Sequence, residues 1–123
     1  MKESYRGRHV RVFRLERADV LAQLRTSAER LLRERRDVVA VWLFGSLARD
    51  RAAPGSDADL LIVVRDGAAP FLQRSESLAR YFEDVGVGCD VLVYTESEVE
   101  RLTAGGPSLV RTALREGVRL GGR

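Results

Sequence analysis

Apolar positions along this chain change period several times, and each change predicts a different element. From Asp19 to Arg36, Val20, Leu21, Leu24, Ala28, Leu31 and Leu32 recur at helical spacing. That spacing predicts a helix, with Asp19 placed to cap it. VVAVWLF, Val38 to Phe44, is short, rich in β-branched residues and closed by Gly45, so it reads as a buried strand. LLIVV, Leu60 to Val64, reads the same way. Pro70 opens a predicted helix carrying Phe71, Leu72, Leu78, Tyr81, Phe82 and Val85, and Gly86 to Gly88 break it before a strand in CDVLVY, Cys89 to Tyr94. Thr95 and Glu98 have the spacing of a capping box for a short helix through Leu102. Pro107 can start a last helix that stops at Gly117, and Val118 to Leu120 fits a short edge strand. HVRVFRL, His9 to Leu15, alternates poorly, so residues 1–15 read as an extra strand or an ordered arm. This succession predicts an α+β fold of α/β-like character, a mixed β-sheet flanked by helices.

Composition narrows the picture without deciding it. The 123 residues suit a single domain spanning 1–123. Hydrophobic content of 45% with 32% charged residues fits a globular protein, and no apolar run approaches membrane-spanning length. No signal-type segment opens the chain, and the single cysteine, Cys89, cannot form an internal disulfide, so a cytoplasmic setting is expected and no membrane partner. The net charge is only +3, and apart from Lys2 the basic residues are arginines dispersed among acidic ones. Dispersed arginines read first as solvated helix faces. Without a basic stripe interleaved with exposed aromatics, nucleic acid is not an expected partner.

The chemistry concentrates in FGSLARDRAAPGSDADLLIV, Phe44 to Val64. Residues two apart on a strand share a face, so Asp57 and Asp59 project together at the start of an apolar run, although aspartate is a poor strand former. Asp90 stands near the start of the next apolar strand, and converges on them if the two strands are neighbours in suitable register. Clustered carboxylates repel unless a cation compensates them, and Mg²⁺ is satisfied by a few carboxylate oxygens plus water and substrate phosphates. Gly45-Ser46 offers the complementary half: a glycine leaving a strand lets the backbone approach a phosphate, and if LARD opens a helix its amides and the Ser46 hydroxyl can donate to phosphate oxygens. Both halves together suit nucleotidyl or phosphoryl transfer. A capped turn is the plainer reading of PGSD taken alone, and helix capping the plainer reading of Ser46.

Gly45-Ser46, Ala48-Arg49 and Ser56-Asp57-Ala58-Asp59-Leu60, followed by Asp90, resemble the signature of the DNA polymerase β-like nucleotidyltransferase superfamily, especially its minimal nucleotidyltransferase (MNT) members. The resemblance implies the nucleotidyltransferase fold, with Gly45, Ser46 and Arg49 binding the nucleotide's phosphates. Asp57, Asp59 and Asp90 would hold Mg²⁺, two ions in all, with Asp90 also helping to deprotonate the acceptor hydroxyl. Asp50 departs from the glycine that many members carry there, and can reshape the turn or pair with Arg49 or Arg51. Larger members add domains that grip the acceptor; here the rest of the active-site surface would come from a second protomer, a partner protein or the acceptor itself. MNT proteins commonly act as antitoxins to HEPN-domain proteins, some transferring AMP from ATP onto the toxin. The resemblance therefore implies an adenylyltransferase acting on a HEPN partner. The alternative is a binding module that neutralises the partner by occlusion.

The remaining conspicuous residues have plainer roles. Trp42, Tyr81 and Phe82 fall within periodic apolar patterns and read as core. His9 has no Cys or His at ligand spacing and reads as solvent-facing. Cys89 alternates with Asp90, which puts it on the opposite sheet face, buried and inert. The glycines of GVG, Gly86 to Gly88, precede a strand, the wrong order for a dinucleotide loop, and no P-loop sequence is present.

Overall fold

The computed structural model describes residues 9–45, 47–48, 57–67 and 70–123. In them a helix, α1 (His9–Glu34), leads into β1 (Val38–Phe44), and β2 (Ala58–Val64) is followed by α2 (Phe71–Ala79) and a 3₁₀ turn, Arg80–Phe82. β3 (Cys89–Thr95), α3 (Glu96–Ala104), α4 (Leu109–Glu116) and β4 (Val118–Gly122) complete the described chain. The four strands form one sheet in the order β3-β2-β1-β4. β1 runs antiparallel to β2 and β4, whereas β2 and β3 are parallel, so the sheet is mixed and the fold is α+β, as the pattern of elements predicts.

Both faces of the sheet are covered, which explains why β2 is a continuous apolar run instead of an alternating one. On one face, Val20, Leu24, Ala28 and Leu31 of α1 pack with Val41, Leu43, Leu60, Ile62 and Val93 of the strands and with Leu78 and Phe82. On the other, Leu61 packs with Val110 and Ala113 of α4, with Trp42, Leu92, Tyr94 and Leu102 partly buried around them. Among the described residues no helix is long and apolar enough to cross a membrane.

Two expectations are corrected at the N-terminal end. His9 to Leu15 is neither strand nor arm: it is helical and continuous with the rest of α1, so Asp19 lies inside the helix and caps nothing. The physical reason lies in the joining segment, where Leu15, Glu16, Arg17 and Ala18 are strong helix formers with no glycine or proline to interrupt them. Residues 1–8 lie outside the described residues.

Local signals elsewhere act as expected. Thr95 Oγ1 accepts from the Glu98 amide while the Glu98 side chain accepts from the Thr95 amide, a complete capping box. The last helix is capped by Ser108, one residue beyond Pro107, and ends at Gly117. The helix after Pro70 tightens into the 3₁₀ turn and finishes before Gly86, whose φ of 95° suits only a residue without a side chain. Phe82 is buried, while Trp42 and Tyr81 are only half-buried. The Tyr81 hydroxyl donates to Glu34, and Arg30 lies 4.9 Å from its ring centre.

Candidate active site

Asp57 stands just before β2, Asp59 is its second residue, and Asp90 is the second residue of β3. The parallel register pairs Asp59 directly with Asp90. Neighbouring strands lie about 4.8 Å apart, so these two backbone positions are adjacent across the ladder. Asp57 joins them because the Ala58 amide donates to the Gly88 carbonyl at 2.8 Å, holding the start of β2 against the start of β3. Alternation puts Asp59 and Asp90 on the face of Leu61, Leu92 and Tyr94, where Asp59 is half-buried and Asp90 exposed.

The carboxylates interact electrostatically. Partial burial raises the Asp59 carboxyl above the ordinary aspartate range, and the negative charges of Asp90 and Asp57 raise it further. Among the described residues none of the three forms an ion pair, and no three His, Cys, Asp or Glu side chains are gathered closely enough to hold a metal ion unaided. Carboxylate oxygens are nevertheless the hard ligands that Mg²⁺ prefers, with water and substrate phosphates ordinarily filling its remaining positions. Cys89 points the other way, into the α1 side of the sheet. Burial and the charges of Asp57 and Asp90 push its thiol up to about 11, so it stays protonated and unreactive near neutral pH.

Two glycines fit closely around these carboxylates. Phe44 pairs with Asp59 across the β1–β2 ladder, which brings Gly45 beside it. A Cβ on Gly45 would collide with Asp59 Oδ2, and Gly45 has a φ of 80° that disfavours other residues. The start of the expected phosphate cradle therefore abuts an expected metal ligand. Gly88, which the sequence reading passed over, has the same relation to Asp57: a Cβ there would lie 2.8 Å from Oδ1. Its signal was the GVG preceding Asp90, legible only once β3 is known to lie beside β2. Ser46, Arg49 and Asp50 lie outside the described residues, and of the LARD segment Leu47 and Ala48 form a turn.

Known proteins match this arrangement. The profile of the nucleotidyltransferase domain family matches residues 24–120. A crystal structure from Sulfolobus solfataricus, provisionally described as a nucleotidyltransferase, superposes with a TM-score of 0.64 at 20% identity, covering 88% of this chain and 85% of that one. A crystal structure of a toxin-antitoxin with AMP-PNP superposes with a TM-score of 0.52 at 16% identity, covering 80% of this chain and 73% of that one. At these identities the likeness is one of fold. No curated protein sequence matches the chain.

Proposed function

Because the chain belongs to the nucleotidyltransferase domain family, we propose that it is a Mg²⁺-dependent adenylyltransferase. It would move AMP from ATP to a hydroxyl of a partner protein, a HEPN-domain toxin for which it serves as antitoxin. The observation that carries the reading is the register that sets Asp59 beside Asp90, with Asp57 drawn in by the Ala58–Gly88 bond. The toxin-antitoxin neighbour with AMP-PNP supports the choice of an adenine nucleotide and a protein partner. A cytoplasmic setting belongs to the same proposal.

The roles divide by position. Asp57, Asp59 and Asp90 would hold two Mg²⁺ ions, whose chemistry is to stabilise the attacking and leaving oxygens of an in-line displacement. Gly45 lets the backbone approach the nucleotide, with Ser46 and Arg49 binding its β- and γ-phosphates. Asp90, the most exposed strand-borne carboxylate of the set, receives the proton as the acceptor hydroxyl attacks the α-phosphorus. A phosphorus–oxygen bond to the acceptor forms, the bond to the β-phosphate oxygen breaks, and pyrophosphate leaves.

The test is the double variant Asp57→Asn with Asp59→Asn, assayed with α-labelled ATP and the cognate partner. It is expected to abolish label transfer and protection from the toxin while leaving the fold and the partner complex intact. A folded double variant that transfers nothing yet protects fully overturns the catalytic reading in favour of occlusion.

A further inference from the structure

Arginines that are scattered in the sequence meet at the end of the sheet opposite the carboxylates. Arg33 and Arg36 come from the end of α1 and the turn after it, Arg65 directly follows β2, and Arg123 directly follows β4. With Leu32 they line an open cleft of about 350 Å³. Arg30, Arg35, Arg74 and Arg115 each pair with a carboxylate, but among the described residues none of these four does. Four guanidiniums without a side-chain carboxylate partner therefore share one cleft in a protein whose net charge is only +3.

Two of the guanidiniums are fixed in place by backbone carbonyls instead of carboxylates. Arg123 Nε donates to the Val38 carbonyl at 2.8 Å, and its Nη2 donates to the carbonyls of Leu32 and of Arg35, the latter at 3.1 Å. These bonds close the C-terminal end of α1 and leave Nη1 uncommitted. Arg65 Nε donates to the Arg36 carbonyl at 3.3 Å. Carbonyls orient a guanidinium without cancelling its charge, so the forks are preorganised while their field remains.

We propose that this cleft is a second anion site, which binds the phosphate groups of a polyphosphate-bearing ligand. The chemistry of the lining selects the ligand. No acidic side chain lines it, no aromatic ring is available to stack a base, and a single leucine gives a peptide no apolar anchor. A monovalent carboxylate engages one fork, whereas a tetrahedral phosphate can bridge several. The cleft is also separate from the proposed reaction centre: seven-residue β2 lies between Asp57 and Arg65, which places them roughly 26 Å apart at about 3.3 Å per residue. One nucleotide cannot span both, so the cleft serves a different phosphate group, from either a free polyphosphate or the backbone of an oligoribonucleotide.

The experiment uses the full chain in EDTA, where a metal-dependent reaction centre contributes nothing, so failure here leaves the proposed transferase untouched. Inorganic tripolyphosphate, an unstructured oligoribonucleotide and an oligoglutamate of matched charge are titrated against wild type, Arg33→Gln/Arg36→Gln and Asp57→Asn/Asp59→Asn. Arg33 and Arg36 are exposed, so their replacement is not expected to disturb folding. Wild type and the aspartate variant are expected to bind the phosphate ligands alike, and the arginine variant about tenfold or more weaker. A stronger response to the oligoribonucleotide identifies a nucleic-acid backbone, with log K against log salt sloping at about −3 for four contacts and about −1.5 in the variant. A stronger response to tripolyphosphate identifies a free polyphosphate. The proposal is overturned if neither phosphate ligand binds, if oligoglutamate binds as well, or if binding survives in the arginine variant.

Discussion

The two faces of the sheet are built for different purposes. The α1 side is closed by a continuous aliphatic layer running from Val20 to Leu31 and across all four strands to Leu120. On the α3–α4 side, only Leu61, Val110 and Ala113 are fully buried, with half-buried neighbours from Trp42 to Leu114 around them, and Asp59 and Asp90 lie on this face, half-buried and exposed. A carboxylate needs water or a cation, and a core needs neither, so the proposed chemistry sits on the face that is less fully covered. Substitutions on the two faces should therefore separate stability from activity.

The largest effect should come from Asp59. Replacing it with asparagine removes a proposed metal ligand and is expected to lower kcat/KM by at least about a thousandfold. Stability should move the other way. The folded protein raises the Asp59 carboxyl, which means that the charged form is disfavoured there, so deleting the charge is expected to be neutral or to stabilise by up to about 1 kcal/mol at neutral pH. Transfer kinetics and denaturant unfolding of the same preparation check both. A variant destabilised by several kcal/mol would show that this face carries the fold after all.

This division also marks what could be read from the sequence. β1 was legible to its last residue because its run is wholly apolar and Gly45 closes it, and the capping box because its partners are three residues apart. The shared face of Asp57 and Asp59 follows from the strand period alone. The pairing of Asp59 with Asp90 does not, since register between parallel strands joined by a helix is a tertiary property. The same holds for Gly88 beside Asp57 and for arginines that meet from positions 33, 36, 65 and 123. Asp19 misled because a good capping residue within a helix looks, locally, like its beginning.

Adjacent residues of β2 sharpen the comparison at constant chemistry. Leu60 and Leu61 are both buried, the first in the α1 layer and the second in the α4 layer. Leu60→Ala is expected to cost about 3–5 kcal/mol, because the surrounding layer is closed and cannot collapse into the cavity. Leu61→Ala is expected to cost about 2–3 kcal/mol, because its half-buried neighbours Trp42 and Leu92 can relax toward it. Urea unfolding of both variants is the measurement, and equal costs would mean that the two layers are equally rigid.

A clasp between the layers should respond to acid. Arg74 of α2 donates through Nη1 and Nη2 to the two carboxylate oxygens of Glu98 in α3, at 2.9 and 3.3 Å. The Arg74 hydrogen bonds, with the Thr95 amide, hold the Glu98 carboxyl down at about 2, below its ordinary 4.5. A depressed acid stabilises the fold above its unfolded pKa and loses that contribution as pH falls through the folded one, so the window is pH 4.5 down to 2. Because Glu98 is partly exposed, Glu98→Gln is expected to cost only about 1–2 kcal/mol at pH 7. The gap between wild type and variant should close as pH approaches 2. A gap independent of pH would assign Glu98 to capping alone.

The smallest effect on stability, and the sharpest on geometry, is expected from Gly88→Ala. The added Cβ would lie 2.8 Å from Asp57 Oδ1, closer than such atoms approach, and a tight 3.3 Å from its Cγ, so the carboxylate must swing aside. The obstacle is the end of an exposed side chain, and the bond from the Ala58 amide to the Gly88 carbonyl survives, so stability should change by less than about 0.5 kcal/mol. What changes is the position of one proposed ligand. The Mg²⁺ concentration for half-maximal transfer is expected to rise about tenfold, as when a group supporting a metal ligand is lost. In an Asp57→Asn background the same substitution should add nothing, since the two act through one carboxylate. A loss of stability with unchanged Mg²⁺ dependence would instead make Gly88 a requirement of the strand start, and the less-covered face would then depend on its glycine for folding as well as for chemistry.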